Sequence, residues 1–214
     1  MNILKNDTIA VKKDICLSRK NILTMLDRRG YNIDTYADFT NTELEILMEQ
    51  DQLNIETHKK DDENKKVIVK YLWKHAKIKT PTLIKEINSV VENVNGNKQD
   101  LEIVIISKDK KSESLQKVID GFNSNKHFPY IQYFWIKTFM FDIMEHEFVP
   151  KHTILSDEEK DNVRIKYNIQ NNLMPVISKN DAVAQYLGMR TGDICEIVRK
   201  SETCGDYLTY RICI

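Results

Sequence analysis

NDAVAQYLGMRTGDICEIVRKSETCGDYLTYRICI, residues 180–214, is the stretch from which the fold is read. Asp181 can cap a short helix by accepting from the free backbone N–H groups of its first turn, and Gly188 can supply the left-handed residue that ends it. After Gly192, residues Ile194, Glu196, Val198 and Lys200 fall on one side of an extended run, with Cys195, Ile197 and Arg199 on the other. A polar turn from Ser201 to Gly205 follows. Tyr207, Thr209, Arg211 and Cys213 then alternate with Leu208, Tyr210, Ile212 and Ile214. The pattern predicts a short helix followed by a β-hairpin.

Upstream, Ser156-Asp157-Glu158-Glu159 reads as a capping box opening a helix that carries Val163 and Ile165 toward Tyr167. A second domain is expected to begin near His146. Before it, Ile136 to Met144 is apolar and reads as a buried helix or strand leading out of the first domain. The first domain carries short β-branched and aromatic runs at Val67–Trp73, Leu101–Ile106 and Tyr130–Trp135. Between them, Thr80-Pro81 opens a helix with Ile84, Ile87, Val90, Val91 and Val94 on one face and Gly96 at its close, and Ser112 opens another with Leu115, Val118, Ile119 and Phe122 inward. Strand, helix, strand, helix, strand implies a parallel sheet with right-handed crossovers. Ile22, Leu23 and Leu26, with Arg19 one turn earlier, predict a leading helix ended by Gly30. Thr40 with Glu43 caps a second, over Leu44, Leu47 and Met48. The tip up to Ile15 shows no periodicity and is expected to fray, with order beginning at Ser18.

The chain has 214 residues, enough for two small domains. Lys+Arg and Asp+Glu are equal at 32 each, so no global basic field drives independent nucleic-acid binding, and any DNA contact must be local. No apolar run approaches bilayer length, and the first residues lack the apolar core of a secretory signal, so an intracellular chain without membrane association is expected. The four cysteines show no C-x-x-C pair, and His146 and His152 flank a Val-Pro segment without a second ligand pair, so neither disulfides nor a metal are expected.

One set of residues is specific enough to name a family. It comprises His152, Leu155, Glu158, Glu159, Tyr167, Met174-Pro175-Val176-Ile177, Asp181-Ala182-Val183-Ala184, Gly188, Gly192, Ile197-Val198-Arg199, Ser201-Glu202-Thr203-Cys204-Gly205 and Tyr210-Arg211. At these spacings the segment resembles the fifth subunit common to the eukaryotic nuclear RNA polymerases, whose C-terminal part alone makes up the small archaeal counterpart. Glu145 to His152 is similar to that family's junction between domains. Ala182 stands where the family has proline, which removes a preset helical φ but keeps the capping carboxylate. Thr191 and Asp206 replace residues that are commonly basic.

The resemblance implies an α+β, α/β two-domain chain: a tip at 1–17, an N-terminal βαβαβ jaw domain at 18–144 with its leading helices, and a C-terminal α+β assembly domain at 145–214 ending in the hairpin. It implies a non-catalytic subunit of a DNA-directed RNA polymerase, docked on the largest subunit and holding its jaw near downstream DNA. Its partners are then the largest and other polymerase subunits, downstream double-stranded DNA weakly within the complex, and transcription factors, with no cofactor. The alternative is an adaptor that binds a transcription factor outside the core enzyme. Low Gly and Pro with abundant Lys, Asn and Ile suits an AT-rich genome, of a protist or of a large DNA virus. The first source implies the nucleus, and the second the virion and host cytoplasm.

No catalytic constellation appears, since the 6 glycines form neither GxGxxG nor GxxxxGK. A nuclease reading starts from Asp100 and Glu102 on the second strand, but Val104 stands where the lysine should be. Lys108, Lys110 and Lys111 before the helix opened by Ser112 suit a phosphate, because ammonium groups join free N–H groups at a helix start. The plainer reading is a solvated rim. In the resembled family this loop faces downstream DNA and a Thr-Pro pair opens the helix, where this chain has Ser112-Glu113. The candidate subunit interface is Tyr167, Asp181, Tyr186, Arg199, Ser201, Thr203, Tyr207, Tyr210 and Arg211. The tyrosines and arginines among these either anchor a partner or pack the small domain.

Overall fold

A single helix, α1 (Asn2–Arg28), runs from the second residue to the glycine turn at Gly30, whose φ is +83°. Order therefore does not begin at Ser18: the apolar series extends a further turn back to Ile15, which is fully buried together with Ile22, Met25 and Leu26. Arg19 is buried on this face as well. Its Nη1 donates to the Leu53 carbonyl at 2.5 Å, and its guanidinium lies over the rings of Tyr36 and Phe39. This computed structural model describes residues 2–75, 77–94, 97–168, 173–201 and 205–214; Gly96 and Thr203 lie outside them.

The chain divides into two compact units, Met1–Phe141 and Asp142–Ile214. In the first, α2 (Asp34–Ala37) and α3 (Asn41–Glu49) follow α1, and the capping box of Thr40 with Glu43 forms at the start of α3. Next comes β1 (Ile55–His58), antiparallel to β2 (Lys66–Leu72). The sequence reading missed β1, since four residues without a tight hairpin signal carry little pattern. The sheet is accordingly mixed rather than parallel throughout. β2, β3 (Leu101–Ser107) and β4 (Tyr130–Trp135) are parallel, joined by α4 (Thr80–Asn93) and α5 (Glu113–Asn123).

Leu83, Ile87, Val90 and Val91 of α4 and Leu115 and Ile119 of α5 pack on Ile68, Leu101, Ile103, Ile105 and Ile131. Leu83 takes the inward place expected of Ile84. Both crossover helices thus cover one face of the sheet, as same-handed crossovers require. The other face carries Glu102 and Gln132, which meet Arg29 and Tyr31 at the end of α1. Ile136 to Met144 forms neither long helix nor strand but two 3₁₀ turns, Ile136–Phe139 and Ile143–Glu145.

The second unit is a four-stranded sheet in the order β5 (Lys151–Ile154), β7 (Ile194–Ser201), β8 (Gly205–Cys213), β6 (Val176–Ile177), with α6 (Asp157–Tyr167) and α7 (Ala182–Leu187). β7 and β8 are the expected hairpin. Both capping motifs form: Ser156 with Glu159 on α6, and Asp181 on α7, whose Oδ1 accepts from the N–H groups of Val183 (2.9 Å) and Ala184 (3.2 Å). Gly188 ends α7 in the left-handed region at φ +74°, open to glycine without a Cβ penalty. Ala184, Met189, Cys195, Ile197 and Cys213 make one small core, and Leu155, Val163, Met174, Ile194 and Ile212 another. The sheet is therefore covered by α7 on one face and by α6 on the other. Val163 packs inward, but Ile165 is 79% exposed.

Candidate nucleic-acid edge and docking faces

Because β2, β3 and β4 run parallel, their carboxyl ends share one edge, the edge at which open α/β sheets bind ligands. Lys108, Lys110, Lys111 and Ser112 lie there, between β3 and α5. Ser112 is the N-cap of α5, its Oγ accepting from the Leu115 N–H at 3.4 Å. The loop is braced from β4: Trp135 Nε1 donates to the Lys108 carbonyl at 2.7 Å and the Tyr133 hydroxyl to the Asp109 carbonyl at 3.1 Å. Lys110 Nζ sits 4.8 Å from the centre of the Trp135 ring, and Lys108 Nζ 5.7 Å from that of Trp73, just past β2. Lys74 Nζ is 5.6 Å from the same Trp73 ring and 3.0 Å from Asp51 Oδ1. The sequence reading names the lysines of one loop as candidates but not Trp73, Lys74 or Trp135, which the structure places beside them. The signal was present, since both tryptophans close strands that end at this edge.

The interface candidates of the second unit fall on two faces, because residues directly opposite in an antiparallel ladder share one. The pairs Cys195–Arg211, Ile197–Thr209, Arg199–Tyr207 and Ile197–His152 put Arg199, Tyr207, Arg211 and His152 on the side covered by α7. Asp181 and Tyr186 belong to that helix and its cap, and Tyr186 is buried. Arg199 is exposed. Tyr210 points to the α6 side, where its hydroxyl donates to Glu196 Oε2 at 3.1 Å and its ring lies 5.7 Å from that of Tyr167. Burial, reinforced by the Glu196 carboxylate, raises the Tyr210 pKa. Ser201 pairs with Gly205 at the far end of the hairpin.

His152 donates through Nδ1 to the Pro150 carbonyl at 2.7 Å, which fixes the tautomer because a carbonyl only accepts. Burial holds its pKa below the usual value; the Pro150 bond and Asp181 oppose the shift, while Arg199 and Arg211 add to it. The fold therefore favours neutral imidazole. Above about pH 6.5 both folded and unfolded chains hold it neutral, and below it the unfolded chain takes up the proton first. Stability should fall as pH drops from about 6.5 toward the lower folded value. Urea midpoints at matched pH pairs should show a smaller loss on acidification for His152→Gln than for the wild type. Equal losses would remove His152 as the cause.

Glu102, the carboxylate around which a nuclease site could be drawn, is committed elsewhere. Its two oxygens take Arg29 Nη1 and the Tyr31 hydroxyl, while Arg29 Nη2 donates to Gln132 Oε1 at 2.8 Å. Asp100 accepts from Asn97 Nδ2 at 2.9 Å. Among the described residues no three His, Cys, Asp or Glu side chains gather as a metal ion needs, and no helix is long and apolar enough to cross a membrane. Cys16, Cys195 and Cys213 are free thiols, with Cys195 pushed up to about 11 by burial, which makes it a poor nucleophile.

Comparison with known proteins bears on most of the chain. Residues 141–213 match the family model of the RNA polymerase Rpb5 C-terminal domain. The subunit rpabc1 of DNA-directed RNA polymerases I, II and III from Dictyostelium discoideum is 29% identical over 197 residues, 92% of this chain and 95% of that protein. RPABC1 of Caenorhabditis elegans is 27% identical over 206 residues, 92% of this chain and 93% of the relative. The DNA-directed RNA polymerase subunit Rpo5 of Thermococcus onnurineus is 46% identical over 74 residues, which make up 35% of this chain but 90% of the archaeal protein. With the archaeal relative matched nearly end to end and the longer eukaryotic ones along almost all of their length, the chain belongs to the Rpb5 family of RNA polymerase subunits.

Proposed function

We propose that the chain works as a non-catalytic subunit of a DNA-directed RNA polymerase, with its C-terminal unit docked on the largest subunit and its N-terminal unit serving as a jaw beside downstream duplex. The 46% identity of the C-terminal part to an archaeal polymerase subunit matched over 90% of its length carries this reading, since the part kept on its own in that relative is the part suited to assembly. The basic edge after β2 and β3 supports the jaw role, because Lys108 and Lys110 carry no carboxylate partner among the described residues. Transcription factors are further partners on the exposed surfaces. In a eukaryotic genome such a subunit works in the nucleus, and in a large DNA virus it is carried in the virion and acts in the host cytoplasm.

Tagged chain should co-purify in fixed ratio with the two largest polymerase subunits, and a fragment beginning at His146 should be incorporated by itself. A fragment left in the unbound fraction would overturn the assignment of assembly to the C-terminal unit. Recovery of the full chain with a transcription factor and without the large subunits would replace the subunit by an adaptor.

A further inference from the structure

Lysines on a surface ordinarily lie against a neighbouring carboxylate or move freely in water; two lysines of the β3–α5 loop do neither. Lys110 Nζ rests on the Trp135 indole at 4.8 Å from the ring centre, and Lys108 Nζ on that of Trp73 at 5.7 Å. An indole face attracts an ammonium without neutralising it, so the side chain is held while its charge remains available. The same Trp73 ring carries Lys74 from the neighbouring loop, at 5.6 Å. Trp135 also fixes the backbone beneath, through the bond from Nε1 to the Lys108 carbonyl. Three ammonium groups from two loops thus stand over two indoles along one sheet edge. Opposing charge is present: Asp51 pairs with Lys74, Asp109 lies in the loop, and Glu113 opens α5.

We propose that Trp73 and Trp135 are positioning residues that hold Lys108 and Lys110, with Lys74 beside them, as a preformed clamp for the phosphate backbone of duplex DNA. The proposal rests on the reading of the first unit as a jaw beside downstream duplex, and it specifies how that jaw grips. The edge offers ammonium groups rather than the planar, bidentate side chains that read base edges, so the grip is independent of sequence. The lysines and the tryptophans have separable signatures. Each lysine that meets a phosphate releases counterions, and its loss flattens the plot of log affinity against log salt by about 0.9. A lost indole leaves the lysine able to reach its phosphate, but from a freely moving start, so affinity drops while the slope stays.

The test uses assembled polymerase carrying wild-type or variant chain, and measures the grip on a downstream duplex of fixed length against potassium chloride concentration. The double variant Lys108→Ala with Lys110→Ala should flatten the slope by about 2 units. Trp135→Leu should lower affinity roughly fivefold along a parallel line, and Trp135→Phe, which keeps an aromatic face, should stay within about twofold of wild type. Trp73→Leu, which frees Lys74 and Lys108 together, repeats the measurement should Trp135→Leu fail to incorporate. Parallel lines for the lysine variant overturn the clamp. Unchanged affinity in the tryptophan-to-leucine variants overturns the positioning role. If wild-type chain is not recovered with polymerase, the subunit reading falls instead, and the same titration with the isolated full-length chain still decides the clamp.

Discussion

Replacing Arg29 by alanine is expected to destabilise the N-terminal unit by about 3–5 kcal/mol, because Glu102 would be left as an unpaired charge in the interior. The pair is nearly withdrawn from water, with the side chains of Arg29 and Glu102 only 4% and 10% exposed. Tyr31 donates to the second Glu102 oxygen and Gln132 accepts from Arg29, but Arg29 is the cation paired with the Glu102 carboxylate, so its removal leaves that charge without its counter-ion. The measurement is urea unfolding of the full chain followed by Trp73 and Trp135 fluorescence, both tryptophans lying in this unit. Replacing the pair together, Arg29→Met with Glu102→Leu, should recover most of the loss, since a buried ion pair and an apolar pair of similar size are often nearly equal in energy. A single variant costing under about 1 kcal/mol would mean that water reaches the site and relieves the charge.

That network also marks a limit of sequence reading. Glu102 on a buried strand is legible as an anomaly, and with Asp100 beside it the anomaly resembles the start of a nuclease site. What resolves it is Arg29, 73 residues earlier, whose place opposite β3 follows only from how α1 packs on the sheet. The same holds for β1 and β6, which are too short to show a period and exist because β2 and β8 have free edges to pair. Local chemistry was far more legible. The boxes at Thr40–Glu43 and Ser156–Glu159, the Asp181 cap and the Gly188 terminus all form, because each is settled within four residues of chain. The loop lysines are neighbours in sequence and so are legible as a group, whereas the indoles they lie on, Trp73 and Trp135, reach the edge along different strands.

Arg199→Ala is expected to weaken incorporation of the chain into polymerase by roughly thirtyfold, the equivalent of about 2 kcal/mol at an interface arginine. From sequence alone Arg199 and Tyr210 belong to one candidate surface. The hairpin register separates them, with Arg199 on the α7 side beside Tyr207 and His152, and Tyr210 on the α6 side against Tyr167 and Glu196. One docking surface cannot use both in the same way. Arg199 is exposed, so its truncation should leave the thermal transition of the free chain in place while incorporation falls. Tyr210 already has partners within the unit, so Tyr210→Ala should cost about 1 kcal/mol of fold stability through the lost hydrogen bond and ring contact. Competition between differently tagged wild-type and variant chains for a limiting supply of the other subunits measures incorporation, with circular dichroism of each free chain alongside. Wild-type incorporation of Arg199→Ala with a large defect in a normally folded Tyr210→Ala would move the docking surface to the α6 side, where Leu208 and Val176 are also exposed. The charged α7 face would then be left to a different partner.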